Sequence, residues 1–295
     1  MRRVGVPRTP SRQWRNGDLF WLVPLLRGMP TESEPETVEL VTHSRSVPLA
    51  FLVDGDNATA GLIGEMLAEA AKYGSVEIRR VYGDWASGKL ASWRPVVQEH
   101  ALVPIQQFVA VSGKNSTDSA LIIDAMDILH SGRVKGFCIA SSDSDFTRLA
   151  TRLRESGMFV VGMGRAQTPA AFRNACHVFV ATENLIAEPA GSESTTPSPL
   201  SRPTPDITPS RRPVAEAFEL VDKAFDSVVG DDGSCHLAEL GNALLKLDPA
   251  FDPRTFGKSK LGDLLESIPG KYELTRPPPK TPGPVFVRRR TAGRR

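Results

Sequence analysis

Cysteine is scarce: there are three in 295 residues, Cys138, Cys176 and Cys235. They are scattered, odd in number and form no CxxC pair. That excludes a disulfide framework and a cysteine-rich zinc site, and it suits a reducing, cytoplasmic setting. Long apolar runs are also missing. The run Leu19–Leu26 follows a basic N-terminal stretch, but a bilayer-spanning helix needs about 20 apolar residues. The run also lacks a long h-region and an A-x-A-like cleavage site, so it does not read as a signal peptide. No membrane partner is expected. Histidine gives no catalytic base: His100, His130 and His177 stand isolated, which leaves a Ser/His or Cys/His nucleophile unsupported. Net charge is only +2, so the overall balance alone predicts no nucleic-acid partner.

What the chain does have is alternation. Three β-branched apolar runs read as strands, Leu49–Val53, Gly136–Ala140 and Met158–Val161; Val76–Val81 and Val103–Val111 are less pure strand candidates. Helical patterns lie between them. In "AGLIGEMLAEAAKYG", Leu62, Ile63, Met66, Leu67 and Ala70 repeat near period 3.6, with Gly74 as a stop. "STDSALIIDAMDILHSG" repeats the pattern, with Ser116 or Thr117 as N-cap and Gly132 as stop. "SDFTRLATRLRESG" places Phe146, Leu149 and Leu153 on one face. Strand alternating with helix predicts an α/β domain, a parallel sheet flanked by helices, over residues 46–186.

Residues 1–45 read as a disordered leader, with Met29 as an alternative start of translation. Residues 187–212 are rich in Pro, Ser and Thr and read as an extended linker. A second, small domain is expected over 213–290. It has helical stretches in "PVAEAFELVDKAFDSVV", "CHLAELGNALLKLDP" and "DPRTFGKSKLGDLLESIPG", then short strands in "KYELT" and "PVFVRRR". Three helices and a β-ribbon are the layout of a winged helix. A basic tail, 291–295, closes the chain, and no acid follows Glu273.

The acids sit where strands end. "FLVDGDN" closes an apolar run with Asp54, Asp56 and Asn57; "CIASSDSDF" follows another with Asp143 and Asp145; Asp118 opens a helix. In open parallel sheets ligands bind at the carboxyl ends of strands, near the point where strand order reverses. Clustered carboxylates need a hard cation, and Mg²⁺ and Mn²⁺ prefer oxygen ligands. Such an ion lowers the pKa of a bound water and stabilises charge on a phosphodiester oxygen. Plainer readings stand beside this one. Gly, Asp and Asn are ordinary turn residues. Asp118 is also an ordinary first-turn acid, Asp143 and Asp145 also suit a helix cap, and Asn57 also suits a turn. Asp124 is placed at the rim of the cluster, and Asp127 in solvent. Competing motifs fail: an EF-hand from Asp54 lacks its ligand at Ala58 and its Gly at Thr59. "SGKNST" lacks the spacing of a phosphate loop.

"FLVDGDN", "KNSTDSALIIDAMDIL" and "FCIASSDSDFTRLATRLRESGMFVVGMG" together resemble the NYN domain of the PIN-like nuclease group, in its LabA-like branch, over about residues 48–185. The resemblance implies a metal-dependent ribonuclease fold. It implies Asp54, Asp118, Asp143 and Asp145 as the acids holding Mg²⁺ or Mn²⁺, with Asn57 as their polar companion. One departure is visible: the family often has Gly where Ser142 stands.

Residues of about 211–290 resemble an OST-HTH (LOTUS) domain through "AFELVDKAF", "SCHLAELGNALLKLDPAFDPRTFGKSKLGDLLES" and "KYELT". That family is implicated in RNA binding. Arg254, Lys258 and Lys260 around the third helix, and Arg288, Arg289 and Arg290 after the last strand, are the candidate phosphate contacts. A solvated basic face is the plainer alternative. Phe256 and Tyr272 are candidates for base stacking or for the core.

The expected function is metal-dependent endonucleolytic cleavage of RNA, single-stranded or structured, with the winged helix searching for substrate on its tether. The alternative is a non-catalytic RNA-binding adaptor with a vestigial metal site. A third reading is nucleotide binding at the sheet edge without hydrolysis.

Overall fold

The computed structural model describes residues 46–108, 116–186, 212–268, 270–278 and 283–290. The expected leader, nearly all of the linker and the basic tail lie outside these residues. Strand and helix alternate through the first domain: β1 (Pro48–Asp54), α1 (Ile63–Ala70), β2 (Ser75–Gly83), α2 (Trp93–Glu99), β3 (Val103–Gln106) and α3 (Ser116–Ser131). Then follow β4 (Gly136–Ala140), α4 (Thr147–Glu155), β5 (Phe159–Gly164), α5 (Ala170–Ala175), β6 (Val178–Ala181) and α6 (Glu183–Ile186).

The six strands form one sheet in the order β3-β2-β1-β4-β5-β6, and every pairing is parallel. The chain winds outward from β1 to β3, crosses back through α3, and resumes beside β1 with β4. Strand order therefore reverses between β1 and β4, the crevice where doubly wound sheets bind ligands. Leu49 pairs with Gly136 and Val53 with Ala140, so the two strands end level.

Both faces of the sheet are buried, which explains why the strand sequences are unbroken apolar runs. From β1, Ala50 and Leu52 pack on one face with Leu121 and Ala125 of α3, Leu149 and Leu153 of α4. Leu49, Phe51 and Val53 pack on the other with Ile63 and Met66 of α1 and Trp93 of α2. Gly132 ends the α3 turn with φ +67°, the left-handed conformation a terminating glycine supplies.

The second domain comprises α7 (Phe218–Val228), β7 (Ser234–His236), α8 (Leu237–Leu247), α9 (Leu261–Glu266), β8 (Tyr272–Thr275) and β9 (Phe286–Arg289). Its antiparallel sheet runs β7-β9-β8. Val221, Phe225, Leu240, Leu244, Leu264 and Val287 fill its core. This is the expected winged-helix layout, with two differences. Cys235 and His236, read with a helix, pair with β9 instead. The third helical stretch divides into a 3-10 turn, Pro253–Phe256, and α9, with Gly257 at φ +72° between them.

The second domain is docked on the first. Phe179 of edge strand β6 donates its backbone N–H to Pro249 O at 2.7 Å. The Asn184 side-chain amide donates to Thr255 Oγ1 at 2.9 Å. An amide on a sheet edge is an open invitation to pairing, and this domain satisfies one of them.

Candidate metal centre

The two central strands end in a hydrogen-bonded knot. Asp54, the last residue of β1, is fully buried. Its Oδ2 accepts from Asn57 Nδ2 at 2.7 Å and from Ser141 Oγ at 2.8 Å; its Oδ1 accepts from Asp56 N at 3.2 Å. The backbone turns sharply here, because Asn57 and Ala58 N–H groups both point to Asp54 O, at 3.3 and 2.8 Å. Only glycine fits at position 55, where an added Cβ would lie 2.7 Å from Tyr82 O.

Ser141, the first residue after β4, joins this knot to the second acidic loop. Its hydroxyl donates to Asp54 and accepts from Asp143 N at 3.0 Å. Asp143 in turn caps the following turn, accepting from Asp145 N at 2.9 Å. The third element is the start of α3. Thr117 donates to Asp56 Oδ2 at 3.0 Å, which ties the helix to the β1 turn and sets Asp118 over the crevice.

These three anchors bring Asp118, Asp143 and Asp145 together, with one carboxylate oxygen from each within 4.8 Å of the others. Asp118 and Asp143 are partly buried and Asp145 is exposed, so the group opens to solvent on one side. Asp54 lies beneath, its carboxylate bound by protein. Burial pushes its carboxyl above the usual range, opposed by the hydrogen bonds from Asn57 and Ser141. Asp118 is raised to about 6, first by burial and then by the charges of Asp54, Asp143, Asp145 and Asp56.

After burial, the charges of four neighbouring carboxylates raise Asp118, as expected where several acids share one site. The donors suit a hard divalent cation: oxygen-only, closely spaced and open on one side, leaving room for the waters that Mg²⁺ retains at about 2.0–2.1 Å. Asp118, Asp143 and Asp145 are the residues that would hold it, with Asp54 as their buried support.

Asp124 does not serve the cluster's rim. Six residues past Asp118 on a helix is 240° around the axis, by the 3.6-residue turn. Its carboxylate is bound instead by Arg80 and the Tyr82 hydroxyl of β2. Ser141 was present in the sequence only as a strand-end serine. Its role depends on β1 and β4 lying side by side, which no local pattern reveals.

The six expected phosphate-binding cations separate. Arg254 does not face a free surface: Asp252 and Glu69 hold its guanidinium, which is only 26% exposed. Arg289 forms ion pairs with Asp222 and Asp226 and lies over the Phe225 ring. These pairings tie domain to domain through Arg254 and sheet to helix through Arg289. Arg288 is exposed, with one contact to Asp232 O at 3.0 Å. Lys260 and Arg290 are exposed and Lys258 is half-buried. Of the aromatics, Tyr272 is buried with its hydroxyl on Asp222, and Phe256 packs against Phe251 at 6.0 Å between ring centroids.

Among the described residues, no helix is long and apolar enough to cross a membrane.

Comparison with known proteins matches residues 48–184 to the family model of the NYN domain and residues 218–283 to that of the OST-HTH/LOTUS domain. No curated protein matches the chain. Among solved structures, a protein of unknown function from Vibrio parahaemolyticus is similar at 17% identity and TM-score 0.40, covering 47% of this chain and 94% of its own. An uncharacterized protein from Nitrosomonas europaea is similar at 24% identity and TM-score 0.24, covering 36% of this chain and 96% of its own.

Proposed function

We propose that this chain, which carries an NYN domain followed by an OST-HTH/LOTUS domain, is a cytoplasmic endoribonuclease that works with Mg²⁺ or Mn²⁺. NYN is a nuclease domain of the PIN-like group and OST-HTH/LOTUS domains bind RNA; RNA as the substrate joins the two. One observation carries the reading: Asp118, Asp143 and Asp145 converge at the reversal of strand order, beside the buried Asp54.

Bound by these carboxylates, the cation supplies a stabilising charge for the phosphodiester and a water of lowered pKa. The protein's part is preorganisation. Asn57 and Ser141 fix the Asp54 carboxylate, and Ser141 also fixes the backbone from which Asp143 projects. Thr117 and Asp56 fix the start of α3, and with it Asp118. Asp118 must lose its proton to act as a ligand, so cation binding to the metal-free protein should strengthen as pH rises toward about 6. Lys258, Lys260, Arg288 and Arg290 are the second-domain cations available for phosphate contacts.

A circular single-stranded RNA tests the endonucleolytic step, because it has no end to digest. The full chain with Mn²⁺ should open the circle to a unit-length linear product. Circles that stay intact, while linear RNA is degraded from an end, would contradict it.

A further inference from the structure

The departure at Ser142, where the NYN pattern often has Gly, has a visible use. Ser142 Oγ accepts the backbone N–H of Arg165 at 2.9 Å. Arg165 is the first residue after β5, next to β4 in the sheet. A glycine at 142 offers no such acceptor. The two loops approach closely: a Cβ at Gly164 would lie 2.5 Å from Ser141 O. The Arg165 turn is held further by Thr168 N, which donates to Arg165 O at 3.0 Å, and by Ala166 N, which donates to the Glu183 carboxylate at 2.9 and 3.0 Å.

The backbone of Arg165 is thus tied down, while its side chain is exposed and, among the described residues, forms no ion pair. It borders the same small cleft as Asn57, Ser141 and Ser142. Ser142 directly precedes Asp143, so the Arg165 backbone is one hydrogen bond from the loop that carries Asp143 and Asp145, which with Asp118 form the acidic cluster; three carboxylates around one divalent cation still leave it net negative. An RNA strand entering such a site needs a fixed cation beside the metal. A guanidinium grips phosphate through two parallel donors.

The geometry points to Arg165, latched by Ser142, as the residue that binds the RNA phosphate next to the one positioned at the acidic cluster. This rests on the nuclease reading above and adds a substrate contact to it. Arg165 is the contact; Ser142 is a positioning residue.

The test measures binding of a fluorescent single-stranded RNA to the full chain in Ca²⁺ across a salt series. Wild type is compared with Arg165→Gln, Arg165→Lys and Ser142→Gly. Loss of one phosphate contact on a single strand makes log K against log salt shallower by about 0.7. Arg165→Gln should show that change and an affinity about five- to tenfold weaker at low salt. Arg165→Lys should keep the wild-type slope, because one charge remains. Ser142→Gly should weaken binding while keeping the slope. An Arg165→Gln variant with wild-type affinity and slope overturns the assignment and leaves the nuclease reading standing. Wild type that fails to bind RNA overturns both.

Discussion

Glu69 of α1 and Arg254 of the second domain, 185 residues apart, form a two-pronged ion pair: Nη1 to Oε2 is 3.0 Å and Nη2 to Oε1 is 3.2 Å. Asp252 grips the remaining edge of the guanidinium through Nε, at 2.9 Å to Oδ2. The Glu69 side chain is only 6% exposed. A carboxylate so buried needs its partner, since an unpaired buried charge is costly. The pair therefore couples burial in the first domain to docking of the second.

Arg254→Ala should loosen that dock. Glu69 would keep Lys72, at 2.7 Å, so the cost is set at about 1–3 kcal/mol, below that of an isolated buried pair. Small-angle scattering should report a larger radius of gyration than wild type, and limited proteolysis should separate the domains sooner. An unchanged radius and cleavage pattern would show that the pair does not hold the dock.

Asp118→Asn should stabilise the metal-free protein. The carboxyl is raised from 3.8 to about 6, so the folded state keeps a proton that the unfolded chain loses between those values. Wild-type stability contributed by this group is therefore highest below about pH 4, falls as pH rises to about 6, and stays low above it. Removing the charge should return about 1–2 kcal/mol at pH 7.5, discounted for solvent screening at this half-open site. In EDTA the variant should melt higher than wild type; with Mn²⁺ wild type should rise and the variant should not. A variant less stable than wild type in EDTA would contradict the repulsion argument.

Gly164→Ala should damage the site from outside the acidic cluster. The new Cβ would press on Ser141 O at 2.5 Å and Thr168 Oγ1 at 2.9 Å. Backbone cannot give way cheaply, so a loss of about 1–3 kcal/mol is expected, as for overpacking, with weaker Mn²⁺ binding because Ser141 moves. Gly61→Ala is the control, since nothing lies within 4 Å of its added Cβ. Equal melting temperatures for the two variants would remove the steric argument.

Much of this architecture was legible in the chain. β1 and β4 are continuous apolar runs because both faces of the sheet are covered, and α1, α3 and α4 show their apolar stripes. β6 was missed because "VFVA" is four residues long, too short to show a period. The expected strand from Val103 ends at Gln106, and 109–111 lie outside the described residues. α2 carries Trp93 as its only buried residue, so its pattern is faint. At the site, acids at strand ends were readable. Their convergence depends on strand order, and the uses of Ser141, Ser142 and Arg254 depend on partners 23 or more residues away. The ion pairs of Arg254 and Arg289 were not readable, because charge is visible in a sequence and its ion-pair partner is not.

The decisive measurement for the nuclease is cleavage of end-labelled linear and hairpin RNA by the full chain in Mn²⁺, Mg²⁺ or EDTA, beside folded Asp118→Asn and Asp143→Asn variants. Cleavage is expected with metal and none in EDTA, with a loss of at least about a hundredfold in both variants, the scale of removing a principal electrostatic stabiliser. No cleavage with either metal, together with salt-sensitive RNA binding that requires residues 213–290, would contradict it and identify the chain as an RNA-binding adaptor.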